Sequence, residues 1–321
     1  MPGNVARLDA SNQVFTGQAQ FNNPANTFAG TFSGGGLGLT NLNPMAVGAS
    51  GTFSVFPSAT FFPGASPTVG SGPVFVASAD VNGDGRADLI SVNYGNTTLT
   101  VLTNSGDGTF SLAASPGVDP GPVWVVAADI NGDGLMDLIS ANRSAGTLSV
   151  LTNAGNGVFV LASSPAAGFS PVSVAAADVN GDGLVDLISV NRDVGTLSVL
   201  TNAGNGVFIL SSSPTVGASP RCVVAADVNG DGYMDLVSAD FGANTLSVLT
   251  NTGSGSFILA ASPSVLVSPD FVVAADVNGD GRVDLVSANA GTFNLSVLTN
   301  AGNGTFTLAS SPSVGGSPGM F

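Results

Sequence analysis

The chain contains no lysine, no glutamate and no histidine, and Cys222 is its one cysteine. All 21 acidic residues are therefore aspartates, all six basic residues are arginines, and the net charge is −15. Each absence excludes something. An acidic chain without lysine has little with which to track phosphates, so nucleic-acid binding is not expected. A single cysteine forms no internal disulfide. It also has no His or Lys to activate it as a nucleophile. Cys222 stands where other parts of the sequence carry Phe75, Trp124, Ser173 and Phe271, and it reads as a side chain filling a strand position. The lack of Cys and His clusters disfavours zinc and copper.

General acid–base chemistry is left to Asp, Tyr94 and Tyr233. No run of 18 apolar residues exists, so no membrane-spanning helix is expected. The opening Met1-Pro-Gly-Asn-Val-Ala-Arg7 has no apolar core of a secretory signal, and the chain reads as a piece of a longer surface protein or one exported by another route.

What is present is a nine-residue loop written five times. It begins at Asp80, Asp129, Asp178, Asp227 and Asp276, at a constant spacing of 49 residues. Oxygen-bearing side chains stand at positions 1, 3, 5 and 9, with glycine at position 6. The five sets are Asp80, Asn82, Asp84 and Asp88; Asp129, Asn131, Asp133 and Asp137; Asp178, Asn180, Asp182 and Asp186; Asp227, Asn229, Asp231 and Asp235; and Asp276, Asn278, Asp280 and Asp284. Position 7 varies (Arg86, Leu135, Leu184, Tyr233 and Arg282), as suits a residue that offers only its backbone carbonyl. Three carboxylates, an amide oxygen, that carbonyl and a water reach the roughly six to eight oxygens that calcium takes. The pattern resembles the first half of an EF-hand loop, without its closing Glu or flanking helices. About five Ca²⁺ ions, one per loop, would offset much of the negative charge. The remaining Asp9, Asp107, Asp119, Asp193, Asp240 and Asp270 form no recurring set, so no catalytic residue is assigned and an enzyme is not expected.

Between the loops, each unit holds four short runs rich in Val, Leu, Ile, Thr and Phe, split by Gly, Asn and Asp turns. In one unit, strand A is Pro122-Val-Trp-Val-Val-Ala-Ala and strand B is Leu138-Ile-Ser-Ala-Asn. Strand C is Thr147-Leu-Ser-Val-Leu-Thr-Asn153, and strand D follows Gly157 as Val158-Phe-Val-Leu-Ala. No window shows a helical period, and 44 glycines with 18 prolines argue against long helices. Tandem four-stranded units of this length predict an all-β fold, a β-propeller of antiparallel blades, in preference to a parallel β-solenoid. Five complete blades are expected. A partial blade stands before them, where Thr60-Phe61 and Ser66-Pro67 align with Thr109-Phe110 and Ser115-Pro116. Ser317-Pro318 aligns with Ser268-Pro269, just where a further strand A would begin. The propeller is expected over residues 51–321. Residues 1–50, rich in Gly, Asn, Thr and Ala, read as a stalk or linker segment.

With Ala-Asp-Val-Asn-Gly-Asp-Gly-x-x-Asp-Leu in hand, followed by turns such as Asn202-Ala-Gly-Asn-Gly-Val-Phe208, the units resemble the FG-GAP/VCBS repeats of integrin-α-type β-propellers. The resemblance covers roughly residues 58–321. Ser-Pro, as in Ser164-Pro165, stands near where that family has a Gly-Ala-Pro phrase. It implies calcium in the A–B loops, an extracellular or cell-surface setting, and protein or surface adhesion without catalysis. Carbohydrate binding, as in similar lectins, is the alternative, and a structural spacer in a larger surface protein is the third reading.

In an antiparallel blade the A–B and C–D loops share one end, and the B–C and D–A connections share the other. The A–B and C–D loops barely vary between units, whereas the B–C turns do. Their large side chains Tyr94, Arg143, Arg192, Phe241 and Phe293 are the expected partner-binding residues.

Overall fold

The computed structural model describes residues 66–315, apart from 156 and 205. The 1–50 segment, the half blade over residues 52–65 and the phrase at 317–321 lie outside the described residues. Twenty strands form five four-stranded antiparallel sheets. The first contains β1 (Pro73–Ala79), β2 (Asp88–Asn93), β3 (Thr98–Asn104) and β4 (Phe110–Ala114). The second contains β5 (Pro122–Ala128), β6 (Asp137–Asn142), β7 (Thr147–Asn153) and β8 (Phe159–Ser163). The third contains β9 (Pro171–Ala177), β10 (Asp186–Asn191), β11 (Thr196–Asn202) and β12 (Phe208–Ser212). The fourth contains β13 (Pro220–Ala226), β14 (Asp235–Asp240), β15 (Thr245–Asn251) and β16 (Phe257–Ala261). The fifth contains β17 (Pro269–Ala275), β18 (Asp284–Asn289), β19 (Asn294–Asn300) and β20 (Phe306–Ser310). The sheets are the expected blades, with β1, β5, β9, β13 and β17 as strand A.

The middle strands of a blade are buried on both faces, which is why β6, β10 and β14 read Asp-Leu-Ile/Val-Ser-Ala/Val-Asn/Asp with no exposed position. Neighbouring blades close on one another through aliphatic side chains. Ile90, Val92, Leu99 and Val101 of the first blade pack against Val125, Leu138 and Leu151 of the second, and equivalent clusters join each later pair. Fully burying one such side chain stabilises by about 1.5–3 kcal/mol. A lone blade would leave both faces wet, so its stability comes from its neighbours.

Among the described residues the five sheets are not closed into a ring: adjacent strands A pack in the series β1, β5, β9, β13 and β17, with no substantial contact between β1 and β17. Exposure follows from this. Val76 is 59% exposed, whereas its counterparts Val125, Val174, Val223 and Val272, each covered by a preceding blade, are at most 4% exposed. At the other end Val277 is 48% exposed, against 1–2% for Val81, Ile130, Val179 and Val228. The strands A converge instead through aromatics: Trp124 stacks on Phe75 at 4.3 Å and on Phe271 at 5.9 Å. Trp124 on β5 thereby touches both the first and the last sheet. Cys222 at the equivalent position is buried, and burial pushes its thiol up to about 12, in keeping with a packing role.

One buried position departs from its repeats. Four blades end strand B with Asn93, Asn142, Asn191 or Asn289, and the fourth blade has Asp240. Asn142 donates to Thr147 and Ser149 hydroxyls, at 3.3 and 2.9 Å. Asp240 instead accepts from Ser238, Thr245 and Ser247 hydroxyls. Burial, the largest influence, pushes its carboxyl above the usual range although these hydroxyls pull it down. A raised folded-state value means that the ionised form weakens the fold, and stability falls as pH rises through the titration. Asp240→Asn is therefore expected to raise stability at neutral pH by on the order of 1 kcal/mol. The gain should vanish at a pH where Asp240 is protonated, as read by paired denaturant melts; an equal gain at both pH values would contradict the cause.

Candidate functional site

The two ends of the blades differ in kind. At one end the A–B and C–D loops meet, as expected from strand alternation: Asn104 donates its backbone N–H to Asp88 and its side-chain amide to the Ala87 carbonyl. Each A–B loop curls because glycines at positions 4 and 6 take left-handed backbone, with φ of 76° at Gly83 and 81° at Gly85. The curl aims backbone N–H groups at the carboxylates. Asp80 Oδ1 accepts from Gly83 at 2.8 Å and from Asp84 at 3.2 Å, and Oδ2 accepts from Gly85 at 2.7 Å. Asn82 Oδ1 accepts from Asp84, and Asp84 Oδ1 from Arg86, both at 2.9 Å. These bonds, the Gly85 N–H foremost, hold the Asp80 carboxyl below the usual range, and Gly281 leads the same effect at Asp276.

The aspartate at position 9 is different. Asp88, Asp137, Asp186, Asp235 and Asp284 are all 0% exposed. Asp137 Oδ2 accepts from the Ile130 N–H at 3.1 Å and Oδ1 from the Asn153 N–H at 2.6 Å. Burial dominates and pushes the Asp137 carboxyl up; the two N–H groups oppose it, and Asp133 and Asp129 add to it. Asp186 and Asp235 behave alike. The Asn153 amide then reaches into the preceding blade and donates to the Val81 carbonyl at 2.7 Å. Asn202, Asn251 and Asn300 do the same to Ile130, Val179 and Val228. Asp137, Asp186, Asp235 and Asp284 thus each anchor their own loop and, through the Asn, the loop of the blade before it.

The donor chemistry suits a hard cation: every loop offers only oxygens, and a carboxylate oxygen that accepts one N–H retains a second lone pair. The position-7 side chains are exposed or half-buried (Tyr233 is 45% exposed), leaving their carbonyls as the useful groups. Among the described residues, no three acidic side chains are placed to hold one ion together. They are held instead on backbone N–H groups, and an ion would draw in Asp80 and Asp84 and their counterparts.

At the opposite end, B–C turns meet the D–A connections, as when Tyr94 N–H donates to Gly72. A cavity of about 380 Å³ opens here, lined by Val74, Tyr94, Val123, Trp124, Arg143, Val172, Arg192, Arg221 and Asp270. Three of the five turn residues expected to bind a partner, Tyr94, Arg143 and Arg192, come together in it. Phe241 and Phe293 do not line it: Phe241 lies under the Arg221 guanidinium at 3.4 Å, and Phe293 is 51% exposed. Trp124 lines this cavity from the aromatic stack of the strands A.

Sequence reasoning missed Arg221 and Asp270, and the reason is register. The pairing of strand A with strand B shifts between its first and third residues in all five blades, leaving Val74, Val123, Val172, Arg221 and Asp270 at a β-bulge. A bulge re-aims its extra residue, and these five all line the cavity. The series Val, Val, Val, Arg, Asp was readable as an abrupt change in charge. Arg221 and Asp270 pair with each other across two blades.

Removing a carboxylate that accepts from two buried N–H groups leaves both donors unsatisfied. Asp137→Ala is therefore expected to destabilise by about 3 kcal/mol, and Asp193→Ala, at an exposed turn, by less than about 0.5 kcal/mol. Denaturant melts of the two variants check this; equal losses would contradict it.

No curated protein matches the chain. Among solved structures, a protein from Lactobacillus plantarum is similar at 19% identity and a TM-score of 0.60, covering 77% of this chain and 73% of that one. A lectin from Agrocybe aegerita, described as recognising non-reducing terminal N-acetylglucosamine, is 24% identical with a TM-score of 0.53; the match covers 75% of this chain and 66% of the lectin. A periplasmic gluconolactonase from Pseudomonas aeruginosa is 20% identical with a TM-score of 0.54, covering 75% and 70%. These likenesses show a propeller-type fold. The FG-GAP-like repeat model matches residues 80–140, 129–189, 178–238, 227–287 and 276–321, a run spanning most of the sequence, and the chain belongs to the FG-GAP-like repeat family.

Proposed function

We propose that this chain is a non-catalytic recognition module of a cell-surface or secreted protein, with calcium stabilising one end of its blades and a partner engaging the other. The observation that carries the reading is the division of labour between the ends. Oxygen-rich loops repeat almost unchanged on one side, and three of the five varying turn side chains, Tyr94, Arg143 and Arg192, line one cavity on the other. An invariant end suits a structural ion; a variable, concave end lined by Trp, Tyr and Arg suits a ligand.

Catalysis is disfavoured by what the described carboxylates already do. Position-9 aspartates hold backbone N–H groups, Asp240 is enclosed by hydroxyls, and Asp270 is paired with Arg221. Carbohydrate binding stands beside protein adhesion because the cavity is small and aromatic-lined, and because a similar fold occurs in a lectin. A purely structural spacer is the reading in which the cavity has no ligand.

Calorimetric titration with calcium is expected to report about five ions and to raise the melting temperature, with EGTA reversing the rise. An unchanged melt in EGTA would remove calcium from the account. Asp182→Ala should lose more stability than Asp193→Ala with calcium present, and the gap should narrow in EGTA. A glycan array run beside a panel of matrix proteins separates the two kinds of ligand, and silence on both leaves the spacer.

A further inference from the structure

Six arginines among 21 aspartates would be expected to find acidic partners, yet the cavity gathers three of the six. Arg221 is satisfied by Asp270, which is 7% exposed, and by the Phe241 ring. Arg143 spends only its Nε–H, on the Ser170 hydroxyl at 3.1 Å, and its two terminal nitrogens make no bond among the described residues. The Arg192 side chain is half-buried and has no hydrogen-bond or ion-pair partner among the described residues. Asp193, next to it, lines an adjoining cavity that shares Tyr94 and Arg143, and it lies in no ion pair with either arginine. After the Arg221–Asp270 pair cancels, the cavity therefore holds two positive charges in a molecule of net charge −15. A half-buried guanidinium without an acceptor is an incomplete interaction.

The rest of the lining narrows what completes it. Val74, Val123 and Val172 line it with apolar surface, and Tyr94, 47% exposed, offers an open aromatic ring. The volume falls within the roughly 300–1,000 Å³ range of small-ligand sites, too confined for a protein surface. Guanidinium forks match planar carboxylates, and an aromatic ring beside them suits a flat face with C–H groups.

We propose that this cavity binds an acidic saccharide, with a uronate-type carboxylate between Arg143 and Arg192 and the sugar ring against Tyr94. The inference rests on the recognition reading above and names its ligand chemistry. Arg221 and Asp270 then act as positioning residues: the ion pair fixes the cavity wall and keeps Asp270 from competing for the other two arginines.

The test is calorimetric titration of the full chain, in calcium, with oligogalacturonate, its methyl ester, a neutral hexose oligomer and a poly-glutamate peptide. The free acid should bind, and esterification should weaken binding by about tenfold or more, since a charge-assisted contact is lost. Arg143→Gln and Arg192→Gln should each weaken it to a similar degree with an unchanged melting temperature, and the Lys variants should retain part of it. Tyr94→Ala should weaken the saccharide. Equal binding of ester and acid, or no effect of either Gln variant, would overturn the carboxylate assignment while leaving recognition intact. Binding of poly-glutamate in place of the saccharide would overturn the sugar. Should a Gln variant fail to fold, the acid-against-ester comparison on the unmodified chain decides.

Discussion

The structure depends on a buried carboxylate that does two jobs at once. Asp137 takes the backbone N–H of Ile130 on one oxygen and that of Asn153 on the other, and the Asn153 amide donates to Val81 in the preceding blade. Ile130 in turn offers its carbonyl to Asn202, whose N–H is held by Asp186, and the sequence of bonds continues through Asn251 and Asp235 to Asn300 and Asp284. A hydrogen-bonded line thus runs through all five blades at the loop end. Apolar packing between blades supplies the larger share of the stabilisation but has no direction. This line sets the register in which one blade meets the next. Losing such a bond is more damaging than its presence is stabilising, because a buried N–H is left without an acceptor.

That arrangement also explains the asymmetry of the molecule. An end committed to holding blades together tolerates little change, so its loops repeat almost without variation. The other end is built from turns and bulges, several of whose side chains line a cavity, and there Tyr, Arg, Phe and Ala replace one another. The proposed calcium would reinforce an end that already has a protein-only anchor at position 9. Positions 1 and 5 carry the carboxylates that an ion would gather further.

Much of this was legible in the sequence. The strands follow from β-branched runs between Gly and Asn turns, and Cys222 is a buried core residue in a cluster that Trp124 and Phe271 pack against. Variation between the turns also singled out Tyr94, Arg143 and Arg192, which share one cavity. The rest was not legible, for specific reasons. Phe241 looked exposed because nothing in the sequence shows Arg221 lying over it. Arg221 and Asp270 were hidden inside strand A because strict alternation does not announce a bulge. The Asn of the C–D turn read as an ordinary turn former; its partner lies 72 residues away and becomes visible only when blades are placed side by side.

For that Asn the repeats contain their own control. The Asn202 side-chain amide donates both within its own blade, to Val185, and to the preceding one, at Ile130, whereas the Asn104 amide donates, among the described residues, to Ala87 of its own blade alone. Comparing the denaturant stability of Asn202→Ala and Asn104→Ala tests the bond across the blade junction most directly. The account predicts that Asn202→Ala loses more stability, by about 1–3 kcal/mol, because it strands a buried carbonyl at the blade junction. Equal losses would contradict it, since the junction bond would then contribute nothing beyond the turn.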